Sequence, residues 1–279
     1  MRFLIPLTLV GLAAILFPME DTAAPRDSMV TELVFTEVDI YHPAAVALGQ
    51  VENLDAPEFS EIRHAPDRKQ AFYDFMVPMI NAANEEVRKE RRWVGQLAMR
   101  LLEGGVLIDE ERADLTRIER RYRLRDQSDL SDAERLGELL KRVDTVPASL
   151  VVAQAAKESG WGTSRFATEA NNYFGIWCFY EGCGVTPLRR KVGLSHEVAT
   201  FPDVNQSVRY YVRTLNTHSA YEGFREMRAE GRLNNQPVSG ERLANGLERY
   251  SERGFAYVEE IQSLIRYNNL ARFNAEDQA

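Results

Sequence analysis

The stretch VPASLVVAQAAKESGWGTSRFATEANNYFGIWCF gathers the residues of this chain best suited to chemistry. Pro147 suits the first turn of a helix. Ala148, Ser149, Ala153, Ala155 and Ala156 keep that helix slim, so its neighbours can approach closely and enclose it. Val151, Gln154, Ala155 and Glu158 share one face, so Glu158 extends an otherwise apolar or small stripe. Gly160 and Gly162 then signal the helix end. A carboxyl group at that end meets the carbonyl pole of the helix dipole, which disfavours a negative charge. Trp161 beside it would exclude water, which again disfavours the charged form. A carboxylic acid that keeps its proton is what general-acid cleavage of a glycosidic bond requires. A Glu near a helix end is also commonly a plain solvated side chain. The next residues strengthen the chemical alternative. Asn171, Asn172, Tyr173, Phe174 and Trp177 supply the aromatic faces and amides that bind sugar rings and N-acetyl groups. Core packing for Phe174 and turn or capping roles for the Asn pair remain open.

The rest of the chain must position these groups. It has 279 residues, 44% apolar and 27% charged, with Gly and Pro at ordinary frequency, so it can bury a core in one large or two modest domains. Its 34 basic against 42 acidic residues give a net charge of -8, which argues against a nucleic-acid partner. The first residues, MRFLIPLTLVGLAAILFPMED, place Arg2 before an apolar run from Phe3 to Phe17. Residues 1–24 read as a signal peptide or an N-terminal membrane anchor. Small residues at Thr22, Ala23 and Ala24 suit cleavage, while Pro25 after them does not. Residues 25–66 carry four prolines and read as an extended linker; VTELVFTEVDIY within it could add a strand.

From Asp67 to residue 145 the apolar spacing is helical: Phe72, Phe75, Met76, Met79, Ile80, Val87, Val94, Leu97 and Leu101 recur at three and four. Pro78 is expected to kink or split that helix. Asp109 is expected to cap the next helix. Ser131 should cap the third, with Glu134 completing a capping box. From Val146 aromatics and glycines increase. Residues 183–201 suggest a small hairpin. Asp203 should cap VNQSVRYYVRTLNTH, and helices follow near 220–230, 239–249 and 254–268. The layout is α+β, mainly helical. Export would let Cys178 and Cys183 close a disulfide across a glycine-bearing turn, the alternative being two free thiols. C-x4-C without a second pair does not make a metal site, and His196 and His218 stand alone, so no metal or cofactor is expected.

AQAAKESGWGTSRFATEANNYFGIW resembles the active-site helix and loop of bacterial N-acetylglucosaminidases of glycoside hydrolase family 73. LERYSERGFAYVEEIQSLI is similar to the family's late Tyr motif. PDRKQAFYDFMVPMINAANEEVRKERR resembles the N-terminal part of the Bax-like subfamily of exported glucosaminidases. The resemblance implies a lysozyme-like domain over residues 146–275, with a small β lobe. It implies Glu158 as general acid, Tyr250 as a residue orienting or stabilising the reacting sugar, and Asn172, Phe174 and Gly175 as shapers of a glycan groove, alongside Trp161, Asn171 and Trp177. A second carboxylate on the β lobe would be Glu197, or else Glu181. The implied function is an exported endo-β-N-acetylglucosaminidase of the periplasm or cell envelope, acting on peptidoglycan strands. A lytic transglycosylase or muramidase is the nearest alternative, although NNYFGIW replaces the GLMQ-type loop of the transglycosylases. A non-catalytic cell-wall-binding protein is the third reading.

Overall fold

The computed structural model describes residues 55–124, 129–188, 190, 193 and 195–278. The N-terminal apolar run, the proposed strand VTELVFTEVDIY and most of the expected linker lie outside the described residues. Among the described residues no helix is long and apolar enough to cross a membrane. The expected linker does reach the core at its end. Phe59 is 2% exposed and packs on Phe72 and Phe75 at ring distances of 5.6 and 5.8 Å. It fills the dimple left by Gly162, where a Cβ would lie 2.3 Å from its ring.

Helix α1 (Ala65–Leu102) is 38 residues long and continuous through Pro78, so of the expected kink or split the split does not occur. Pro78 sits on the exposed side, so water can serve the carbonyl it leaves free, while Phe75, Met76, Met79 and Ile80 hold the other side in the core. Helix α2 (Asp109–Arg121) begins at Asp109, one residue after its cap position. There the Glu111 carboxylate, rather than Asp109, accepts the Ile108 N–H at 3.0 Å. Helix α3 (Asp132–Arg142) has the expected capping box, with Glu134 accepting the Ser131 N–H at 2.9 Å and Ser131 Oγ accepting the Glu134 N–H at 3.4 Å.

Helix α4 (Ala148–Ser159) is the axis of the fold. Every residue from Ala148 to Ala156 is buried. Its small side chains admit α1 on one side and the later helices on the others. Helix α5 (Arg165–Ala170) follows, then the β lobe: β1 (Trp177–Cys178), β2 (Gly184–Val185) and β3 (Glu197–Ala199). The lobe is a three-stranded antiparallel sheet in the order β1-β3-β2, with Trp177 opposite Val198 and Gly184 opposite Ala199. The expected hairpin is therefore the β2–β3 half of a sheet whose other edge is β1. Gly184 is required at its position, because a Cβ there would lie 1.9 Å from the Val198 carbonyl oxygen.

Helix α6 (Val204–Thr217) starts at Asp203, whose carboxylate accepts the Gln206 N–H at 2.8 Å. Helices α7 (Glu222–Leu233) and α8 (Gly240–Leu243), a 3-10 segment (Ala244–Tyr250), α9 (Phe255–Tyr267) and a last 3-10 segment (Leu270–Gln278) complete the chain. The α4 axis packs against α1, α8, α9 and the last 3-10 segment. The mainly helical α+β layout with a small β lobe is the one expected.

The α3–α4 junction is pinned by charge. Asp144 is 2% exposed and meets Arg232 at 2.9 Å, Arg91 at 3.6 Å and Arg228 at 3.7 Å. Arg228, itself buried, also donates to the Asp144 and Thr145 carbonyls and to Asn216 Oδ1. Burial by itself would raise the Asp144 carboxyl, but the three guanidinium groups outweigh it and hold the group below its ordinary value. Such a depressed group stabilises the fold above its unfolded value, and the contribution is lost as pH falls through the folded one. Asp144→Asn is expected to cost about 3–5 kcal/mol near neutral pH, by leaving the buried Arg228 guanidinium uncompensated. Urea denaturation should show the variant and parent converging in acid.

Candidate active site

Glu158 stands in the last turn of α4, before the left-handed cap Gly160 (φ +58). It is half-buried, and its Oε1 accepts the Tyr257 hydroxyl at 2.8 Å. Burial is the main cause that raises its carboxyl above the ordinary Glu value. The Tyr257 hydrogen bond and the Lys157 charge oppose the rise, and the Glu260 charge adds to it. A raised pKa is what the helix position suggests, but the wall that excludes water is not Trp161.

Trp161 follows Gly160 with its own φ at +62, and two successive left-handed residues reverse the chain there. The reversal turns the indole onto α1. It packs against Phe72 and Tyr73 at 5.5 and 5.8 Å, with Lys69 over its ring at 4.9 Å. Tyrosines from three later elements stand beside Glu158 instead. Tyr257 from α9 stacks on Tyr250 of the 3-10 segment, with rings 5.5 Å apart and 9° from parallel. Tyr211 from α6 meets Tyr250 edge-on at 6.3 Å. Burial raises all three phenols, and the Glu158 charge raises them further, so they stay protonated donors.

The loop after α5 forms the opposite side. Gly175 has φ +65, and a Cβ built on it would lie 3.5 Å from Glu158 Oε2. Glycine suits this left-handed backbone, and a side chain built here would lie against that carboxyl oxygen. Phe174 is 1% exposed and stacks on Tyr211 at 4.2 Å, so its ring is core rather than groove surface. Its carbonyl accepts the Tyr250 hydroxyl at 2.7 Å, which ties Tyr250 to the loop rather than to Glu158. Asn172 is 1% exposed and shapes the loop from inside. Its amide donates to the Ile176 and Ala199 carbonyls at 2.9 and 2.8 Å, and its oxygen accepts the Ile176 N–H at 3.0 Å. Asn171 takes φ +51 at the end of α5 and donates to the Phe201 carbonyl at 3.0 Å. Trp177, half-buried on β1, sits edge-on to His196 at 4.8 Å.

Cys178 and Cys183 form a disulfide, with Cα atoms 6.1 Å apart, closing the β1–β2 connection. Glu197 is 6% exposed under that loop. It accepts the Gly184 N–H at 2.9 Å and lies 3.8 Å from Arg190. Among the described residues no hydrogen bond joins it to Glu158. Glu181 is exposed in the disulfide loop. Ligand atoms of Cys178, Cys183 and Glu197 lie within 4.8 Å of one another, but the sulfurs are bonded to each other and offer no thiolate to a cation. His218 caps a short 3-10 turn through the Ala220 N–H.

Sequence reasoning missed Tyr257, the residue that touches Glu158. One sign of it was present: Gln154 lies one turn before Glu158 on the same buried face, and a buried amide demands polar partners. Those partners are Tyr257 and Tyr211.

The Gly175 geometry gives a test. Gly175→Ala is expected to cost about 1–2 kcal/mol of stability from its left-handed backbone. Its methyl group, against Oε2, should lower turnover by about tenfold or more. Thermal unfolding and glycan-cleavage rates measure the two effects separately.

A family model described as mannosyl-glycoprotein endo-beta-N-acetylglucosaminidase matches residues 133–270, which contain Glu158, Gly175, Tyr211, Tyr250 and Tyr257. Protein bax of Escherichia coli (strain K12) is 32% identical over 262 residues, covering 94% of this chain and 91% of the relative. No solved structure matches the chain. The chain belongs to the glucosaminidase family, as a Bax-like member, and its domain is of the glycosidase type.

Proposed function

We propose that the protein is an exported endo-β-N-acetylglucosaminidase that hydrolyses the glycan strands of peptidoglycan, with Glu158 as the general acid. One observation carries this reading: a half-buried carboxyl group in the last turn of α4 is raised by burial, accepts the Tyr257 hydroxyl on one oxygen and has its other oxygen beside Gly175. The family model supports the sugar class. The apolar N-terminal run and the Cys178–Cys183 disulfide support work outside the cytoplasm, in the periplasm or envelope.

In the reaction, the Glu158 proton passes to the glycosidic oxygen as its bond to the anomeric carbon breaks. The leaving sugar departs as an alcohol, and Glu158 becomes a carboxylate. The Tyr257 hydroxyl then donates to a full negative charge and its hydrogen bond strengthens. Water then adds at the anomeric carbon and gives its proton to the Glu158 carboxylate, which restores the acid. Glu197 is already engaged by Gly184 and Arg190. A route in which the substrate's own 2-acetamido group attacks the anomeric carbon therefore fits the site better than one through a β-lobe carboxylate. Tyr250, fixed to the Phe174 carbonyl, would line the sugar beside Glu158.

Glu158→Gln is expected to abolish release of muropeptides from purified sacculi while the unfolding temperature stays unchanged. Mass spectrometry of the parent's products should find reducing ends at N-acetylglucosamine; anhydro-muramic ends would make it a lytic transglycosylase instead. The general acid works only while protonated, so its raised pKa should carry activity to higher pH than an ordinary Glu allows, with turnover lost as pH rises through that value. A pH–rate profile at saturating substrate measures the limb.

A further inference from the structure

We infer that Tyr211, Gln154 and Tyr257 form a directional hydrogen-bond chain that confines the proton of Glu158 to its Oε2 oxygen. The inference rests on the reading of Glu158 as the general acid, and it names three positioning residues for that acid.

Direction starts at Tyr211. Its side chain is 1% exposed, and its single hydroxyl proton goes to Gln154 Oε1. A buried hydroxyl without an acceptor is costly, so this bond fixes which way the Gln154 amide faces. Gln154 is 0% exposed and held in the middle of α4. With its oxygen turned to Tyr211, its Nε2 donates to the Tyr257 hydroxyl oxygen at 2.9 Å. That oxygen is now filled as an acceptor, and the Tyr257 proton points onward to Glu158 Oε1 at 2.8 Å. An oxygen that receives this proton cannot present one of its own along the same line. The carbonyl oxygen of a neutral carboxyl group is the better acceptor, so Oε1 takes that role and the proton sits on Oε2.

Oε2 is also the oxygen beside Gly175, 3.5 Å from the position a Cβ would occupy. The proton is thus held on the Gly175 side, where the proposed reaction brings the glycosidic oxygen, and kept off the side where it would be buried among tyrosines. With the amide of Gln154 reversed, Tyr257 would donate back to Gln154 and accept the Glu158 proton on Oε1. Tyr211 would then lose its acceptor, and Tyr211 is in this way the residue that forbids the unproductive arrangement. When the proton leaves Oε2, the same chain stabilises the carboxylate, so it acts more strongly in the transition state than in the ground state.

The titratable groups facing Glu158 are Tyr257 and Glu260 from α9, Tyr250 from the 3-10 segment, Tyr211 from α6 and Lys157 from its own helix. Glu260 is held as an anion by Arg253 and Lys157, its carboxyl lowered to about 2 by those hydrogen bonds, so it does not change charge in the working range.

The test uses the full chain, with solubilised peptidoglycan glycan strands as substrate. Tyr257→Phe is expected to lower kcat about 10- to 100-fold with KM unchanged. Its alkaline limb should move to higher pH, because a bond that favours the carboxylate is gone. Tyr211→Phe should shift both quantities in the same direction by a smaller factor. A merely structural role would lower the unfolding temperature without moving the limb. To keep folding out of the result, 3-fluorotyrosine at position 257 retains the shape and strengthens the donor, and should move the limb to lower pH. An unmoved limb in the fluorinated protein, or unchanged kcat in both Phe variants, overturns the inference while Glu158→Gln remains inactive. Activity in Glu158→Gln would instead overturn the general-acid reading.

Discussion

Keeping water away from one carboxyl group is the constraint on which the rest of this structure depends. Glu158 lies in the last turn of a helix whose residues from Ala148 to Ala156 are all buried. Helix α4 can be that enclosed only because it is built of Ala, Ser and Val, against which α1, α8, α9 and the last 3-10 segment all pack closely. The tyrosines beside the acid come from α6, the 3-10 segment and α9, so three separately placed elements must meet at one point. The buried Asp144–arginine group serves the same end. By tying α1, the α3–α4 junction and α7 together, it fixes where α4 begins.

Much of the scaffold was legible from local signals. Ser131 with Glu134, and Asp203 with Gln206, cap as their spacing suggests, because capping is decided within one turn of chain. The enclosed helix end that carries Glu158 was legible, because small residues precede it and glycines follow it. The expectations that failed depend on what lies across space. Pro78 did not break α1, because the opposite face of the helix is anchored in the core. Phe59 looked like linker, because its place under Gly162 depends on a glycine a hundred residues away.

The site divides in the same way. Trp161 was assigned to the acid because it is adjacent in sequence, but a backbone reversal sends it to α1. Asn172 and Phe174 look like sugar-binding types and are instead buried supports that hold the loop carrying Gly175. Tyr257 is 99 residues from Glu158, and the buried Gln154 signals a polar partner without saying which. The resemblance drew attention to Tyr250 in the same motif. The two tyrosines stack, but Tyr250 is tied to the loop and Tyr257 to the acid. A motif identifies which residues gather at a site; the hydrogen bonds decide which of them does what.

The separation between Glu158 and its partners also bears on how the chain comes to life during synthesis. Ser149 at the start of α4 donates its N–H to Asn274, 125 residues later, so both ends of that helix are completed by the C-terminal segment. Contacts of such long range form late, after the intervening chain has emerged. A nascent chain that ends before α9 carries the carboxyl group without Tyr257, its hydrogen-bond partner. The hydrogen bond that holds Glu158 therefore cannot form until nearly the whole chain has been made.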